Sequence, residues 1–103
     1  MNKLAFHREA LEELDAAVEW YERRSVGAGA RLIGEVVELV ALLGELPRSG
    51  SPAPGFDPSF DVRMSPLRRF PFIVVTASVA DQRAVVAVAH TRREPGYWSR
   101  RIR

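Results

Sequence analysis

The sequence predicts an α+β fold: a helical hairpin packed on one face of a small antiparallel sheet, in the order β-α-α-β-β-β. Three observations predict it. The apolar spacing changes from two-residue to helical at Arg8. Two amphipathic helical stretches then follow one another, separated only by a segment holding Gly27 and Gly29. Beyond Pro58, β-branched and aromatic residues gather in three short runs. With 103 residues, 47% of them apolar, and no repeat or low-complexity tract, residues 1–103 are expected to form one domain.

The elements follow in order. Leu4 and Phe6 alternate with Lys3 and Ala5, the pattern of a short half-buried strand. Leu11, Leu14, Val18 and Tyr21 then step by three, four and three, giving a helix with Glu12, Asp15, Glu19 and Glu22 largely elsewhere on its circumference. Ser25 to Gly29 permits a tight reversal. Leu32, Val36, Leu39, Val40, Leu43 and Leu46 carry the second helix, which Pro47 ends. The stretch from Pro47 to Pro58 holds four of the seven prolines and reads as a stiff exposed loop. Phe60, Val62 and Met64 alternate with Asp61, Arg63 and Ser65, predicting a strand closed by Pro66. Two more strands, Phe70 to Ser78 and Ala84 to Ala89, flank a hairpin turn at Val79 to Arg83, and a basic aromatic tail follows.

Composition excludes several classes of function. The chain has no cysteine, so disulfide frameworks and thiolate metal sites are out. Two histidines and scattered carboxylates make no ligand spacing, so neither metal nor organic cofactor is expected. The strongly apolar runs fall well short of the ~20 residues of a membrane span, and charge returns by Arg8 and Glu9, too early for a secretory signal. The expected location is the cytoplasm. Charge is divided unevenly: residues 1–47 hold five basic residues against nine carboxylates, a net −4, and residues 48–103 hold ten arginines against four, a net +6. Of fifteen basic residues only Lys3 is lysine. Arginine suits bidentate phosphate or carboxylate contacts; a GC-rich coding sequence accounts equally well for its excess over lysine, though less well for the asymmetry.

Three segments, HREALEELDAAVEWYE, the Arg-Phe-Pro-Phe of residues 69–72, and AVAHTRREPGYWSRR, together resemble the RelE/ParE superfamily of type II toxins. The most specific part is the pattern His90, Arg92, Arg93, Pro95, Tyr97, Trp98, with Trp20-Tyr21-Glu22 in support. The resemblance implies a small cognate antitoxin that binds and neutralises the chain as an oligomer. It implies one of two targets: RelE-like members cut mRNA on the ribosome, and ParE-like members inhibit DNA gyrase. Nuclease-type relatives carry basic residues in the middle loop and a catalytic arginine a few positions into the third strand. Here the loop SGSPAPGFDPS has no lysine and the corresponding strand position is Ile73.

Cleavage by a neighbouring 2′-OH needs a proton acceptor, positive charge for the phosphorane and a donor to the leaving oxygen. His90 is the candidate acceptor, Arg92 and Arg93 the candidate charge, Tyr97 the candidate donor or stacking residue. Arg63 and Arg69 are candidate phosphate contacts and Trp98 a candidate stacking face. Plainer roles stand beside these. His90 can simply hydrogen bond at a strand end or touch the antitoxin; Arg92 and Arg93 can form a solvated turn; Tyr97 and Trp98 can fold back to anchor the tail. Trp20 and Tyr21 are expected to pack the helices on the sheet, and His7 to open the first helix. A binding module without toxicity, kept as antitoxin partner or co-repressor, is the third functional class.

Overall fold

The computed structural model describes residues 4–102. Strand β1 (Ala5–Phe6) leads into helix α1 (Arg8–Arg24), which reverses into α2 (Ala28–Glu45). There follow β2 (Ser51–Pro52), a 3₁₀ turn (Pro58–Phe60), β3 (Arg63–Pro66), β4 (Phe72–Val79), β5 (Gln82–His90) and a final 3₁₀ turn (Ser99–Ile102). These make a five-stranded sheet in the order β1-β5-β4-β3-β2. The α+β class and the β3-β4-β5 meander agree with the sequence, and three details correct it. The sheet is mixed, because β1 pairs parallel to β5 through Ala5–Ala84 and Phe6–Val85. The proline-rich stretch supplies an edge strand, β2, where Pro52 needs no amide donor toward solvent. The strand expected from Phe60 starts at Arg63, because Phe60 lies in the 3₁₀ turn and Asp61 takes a left-handed φ of 44°. Lys3, expected at the start of the first strand, lies outside the described residues.

His7 opens α1 as expected, its Nδ1 accepting from the Glu9 amide at 3.1 Å. The face turned to the sheet is built from Ala10 and Ala17, both buried, with Leu14, Val18 and Tyr21 packed beside them. Leu11, expected inside, is 45% exposed, and Trp20 is 48% exposed rather than packed on the sheet. The reason is angular. Each helical residue turns about 100°, so once Tyr21 meets Phe70 and Phe72, its neighbour Trp20 points away. At the reversal, Gly29 lies so close to α1 that a Cβ there would be 3.0 Å from the Val18 carbonyl. Glu22 accepts from the Gly27 and Gly29 amides, each at 2.9 Å, and so closes the start of α2, whose cap residue Gly27 has no side chain to do it.

The helices cover one sheet face around Leu32, Val36, Leu43, Val74 and Val85. The other face is covered by Ala53, Phe56 and Phe60 and by Trp98 and Ile102 of the tail. A β-bulge decides which side chains reach each face. Val75 pairs with Ala87 and Thr76 with Val85, so Val86 is the extra residue of β5. Val86 and Ala87 both join the far-face cluster, while Val88 packs on the helix side. No helix among the described residues is long and apolar enough to cross a membrane.

Candidate functional site

Strand β5 ends at His90, whose Cα pairs with that of Phe72 and whose ring meets the Phe72 ring edge to face at 5.0 Å. The chain then turns sharply: the Arg93 amide donates to the His90 carbonyl at 3.0 Å, and the Arg92 amide to His90 Nδ1 at 3.0 Å. That second bond uses Nδ1 as an acceptor, so in the neutral ring the proton is on Nε2. Gly96, at φ 80°, reverses the tail so that Tyr97 comes back over α1. Thus His90, Arg93 and Tyr97 border one cleft of about 440 Å³ together with Glu13, Ala16, Ala17, Trp20, Tyr21, Phe72 and Val88.

The cleft is anchored by Glu13. Its Oε1 accepts from the Val88 amide at 3.0 Å and from Arg101 Nη1 at 3.1 Å; its Oε2 accepts from the Tyr97 hydroxyl at 2.7 Å and from Arg101 Nη2 at 3.0 Å. Arg101 also donates to the carbonyl of the bulge residue Val86 at 2.9 Å. Strand β1 pairs with β5 only as far as Val85, so Glu13 and Arg101 satisfy the edge groups that β1 leaves open. Burial pushes the Glu13 carboxyl up, but the hydrogen bonds from Arg101, Tyr97 and the Val88 amide outweigh it and hold the group below the usual carboxylate range. Burial first, then the hydrogen bond to the Glu13 carboxylate, pushes the Tyr97 phenol up to about 12.

The other candidates lie elsewhere. Arg92 is exposed beside the cleft without lining it. Arg63 Nε is 2.9 Å from Asp61 and its Nη1 bonds the Gly50 carbonyl, so the expected phosphate contact finds its guanidinium already held within β3's surroundings. Arg69 is exposed but borders a separate cleft with Arg31, Glu35 and Arg68, on the side of α2. Trp98 is 4% exposed and stacks on Phe56 at 5.5 Å, so it offers no free face to a base: it serves the far-face core, the plainer of its two expected roles. Ile73 packs on that same far face. Glu13 and Arg101 escaped the sequence reading. Glu13 does lie four residues from Glu9 and from Ala17 on one side of α1, but its partner is 88 residues away. Among the described residues, no three carboxylate or histidine side chains gather as metal ligands.

Residues 4–95 match the family described as the ParE toxin of type II toxin-antitoxin systems, parDE. The chain belongs to the ParE toxin family. A search of curated proteins finds no match. Among solved structures, one from the chromosomal ParDE toxin-antitoxin system of P. aeruginosa is 23% identical, covers 89% of this chain and 98% of its own, and superposes with a TM-score of 0.69. At that identity the likeness supports the fold alone. In this ParE-family toxin, the cleft between α1, the end of β5 and the returning tail brings together His90, Arg93 and Tyr97 of the sequence pattern, on the helix side of the sheet.

Proposed function

We propose that this ParE-family chain acts in the cytoplasm and inhibits growth by binding DNA gyrase through its basic C-terminal surface. Cutting mRNA on the ribosome is the reading we set aside, and a cognate antitoxin neutralises the chain in a joint oligomer. The observation that carries the choice is the division of the would-be nuclease residues between two faces. His90 and Tyr97 open on the helix side, whereas Ile73, at the position of the nuclease relatives' central arginine, packs on the far face. Tyr97 further holds its proton against Glu13 and is a poor donor to a leaving oxygen, with its phenol pushed up to about 12. What remains at the surface is fixed positive charge, Arg92 and Arg93, suited to binding and unable to act as base at neutral pH.

Two reactions test the proposal side by side. Purified protein added to DNA gyrase should reduce supercoiling, and transcripts in a reconstituted translation reaction should keep their 5′ ends. New ends inside codons, appearing only with ribosomes present, would overturn the choice in favour of an endoribonuclease. No effect on either reaction, together with normal growth when the chain is produced alone, would leave a non-toxic antitoxin-binding module.

A further inference from the structure

The two helices turn different outer faces to solvent. Helix α1 carries nine charged residues in seventeen, whereas α2 carries four in eighteen: Arg31, Glu35, Glu38 and Glu45. At about 100° per residue, Ala30, Ile33, Gly34, Val37 and Ala41 share the side of α2 away from its buried Leu32, Val36 and Leu43, and all five are exposed. Ile33 and Val37 keep 41% and 59% of their surface, and a Cβ built on Gly34 would meet nothing within 4 Å. A contiguous apolar face of about three turns, with no charge crossing it, has the character of a contact surface. All four charged residues of α2 fall on one flank of that face. Glu35 there accepts from the Arg68 and Arg69 amides and so brings both arginines beside Arg31 and Glu38, around one cleft. Among the described residues Arg31, Arg68, Arg69, Glu38 and Glu45 make no ion pair. Unpaired positive charge thus borders the first half of α2, and unpaired negative charge the second.

We propose that two copies of the chain associate through this face, with their α2 helices antiparallel about a two-fold axis at Val37. Two complementarities select a second copy as the occupant. Antiparallel pairing sets residues equally far on either side of Val37 against one another, so Ile33 meets Ala41 of the second copy and Gly34 meets its Val40. Each time a large side chain faces a small one, which fills the seam without a clash. The same rotation keeps the charged flanks of both copies on one side and reverses their order. Arg31 of each copy therefore comes beside Glu45 of the other, and Arg68 and Arg69 offset Glu38, which lies nearest the axis. A nucleic acid fits less well, because Glu38 and Glu45 would repel its phosphates. Size sets the strength. The helix is about 27 Å long and about 10 Å wide, so with its flanking arginines it supplies less than the roughly 800 Å² per partner of a stable complex. The dimer is therefore a weak one, formed in the micromolar range. Its face shares no residue with the cleft that holds His90 and Tyr97, so the inference is independent of the toxin reading, and each copy keeps its cleft open.

The test is the oligomeric state of the full chain. Sedimentation velocity should show monomer at low micromolar concentration and dimer as the concentration approaches millimolar. Val37→Asp sets two carboxylates against each other at the axis and should weaken association at least tenfold. Arg31→Glu and Glu45→Arg should each weaken it several-fold, and the two combined should restore it. That rescue reports contact between copies, because the two positions lie about 21 Å apart along one helix. The chain has no cysteine, so Val37→Cys introduces a single thiol. Oxidised glutathione, itself reduced in the exchange, should join two such chains through a disulfide, and should leave Glu12→Cys, on α1, unjoined. Thermal melting checks that the variants fold, and Val37→Lys takes the place of the aspartate variant if that one does not. A chain that stays monomeric throughout, a folded Val37→Asp variant that associates like the parent, or a charge swap without rescue would each overturn the inference. So would a monomeric chain whose Val37→Cys thiol is shielded from labelling by added DNA gyrase, which would give the face to the target instead.

Discussion

Glu13 on the first helix and Arg101 near the end of the chain form a two-pronged ion pair, with Nη1–Oε1 at 3.1 Å and Nη2–Oε2 at 3.0 Å. The pair is mostly out of water, Arg101 retaining 5% of its side-chain exposure and Glu13 17%. It also completes the open edge of β5 through the Val86 carbonyl and the Val88 amide. Removing one member therefore strands the other and uncovers backbone groups. Arg101→Ala should cost about 3 kcal/mol, as expected when a buried pair loses a partner. Urea unfolding at neutral pH measures it. Because the folded state holds Glu13 below its ordinary value, its stabilisation is present above the unfolded carboxylate range and fades as pH falls through the lowered folded value. Glu13→Gln should flatten that part of the acid-unfolding profile, and a profile parallel to the parent's would show that the pair does not act in this way.

Tyr97 is tied to the same carboxylate through a 2.7 Å hydrogen bond. Tyr97→Phe keeps the ring under Arg93 and removes only the hydroxyl, so the expected loss is about 1 kcal/mol. The phenol of Tyr97 is raised in the folded protein, to about 12. Its contribution to stability is therefore complete below the unfolded tyrosine range near pH 10 and is lost as pH rises through the folded value. Ultraviolet titration of parent against Tyr97→Phe should show one phenolate transition near 12 that the variant lacks; a difference spectrum centred near 10 would contradict the buried hydrogen bond.

Arg92 and Arg93 sit on the turn after β5, exposed, with no ion pair among the described residues. Replacing both with alanine removes one cation–π contact and no core packing, so the melting transition should shift by no more than about 1 kcal/mol. Growth arrest on expression should nevertheless disappear. A folded double variant that still arrests growth at the parent's expression level would remove these arginines from the target surface.

Most of the element order was legible in the sequence because two periodicities, helical from Arg8 and alternating as read from Phe60, are strong and separated by prolines; β2, inside the proline-rich stretch, was not. Which residues face inward was less so. The innermost positions of α1 are Ala10 and Ala17, and alanine adds little to a hydrophobic pattern. Leu11 dominates that pattern and points outward. The bulge at Val86 was hidden for a related reason: residues 84–89 are all small or β-branched apolar residues, so a one-residue change of face leaves no mark. In the candidate site the C-terminal cluster could be read as residue types at fixed spacing. Its assembly could not, because the bonds that Arg101 and Tyr97 make to Glu13 join residues more than eighty positions apart, which no local pattern encodes.

The hairpin between β4 and β5 turns on Ala80 and Asp81, with φ of 52° and 62°. Two successive left-handed residues match the right-handed twist of the paired strands, which is why such turns favour Asn followed by Gly. Alanine has no side-chain oxygen to ease that conformation, and its Cβ crowds the backbone there. Combining Ala80→Asn with Asp81→Gly should remove most of this cost and stabilise the fold by about 1 kcal/mol, the usual gain from fitting a residue to its backbone. In a chain this size that raises the melting temperature by roughly 4–8 °C. The turn lies at the opposite end of β5 from His90, so growth arrest should be unchanged. A melting temperature equal to or below the parent's would mean that the strand pairing, rather than the turn, sets the stability of this hairpin.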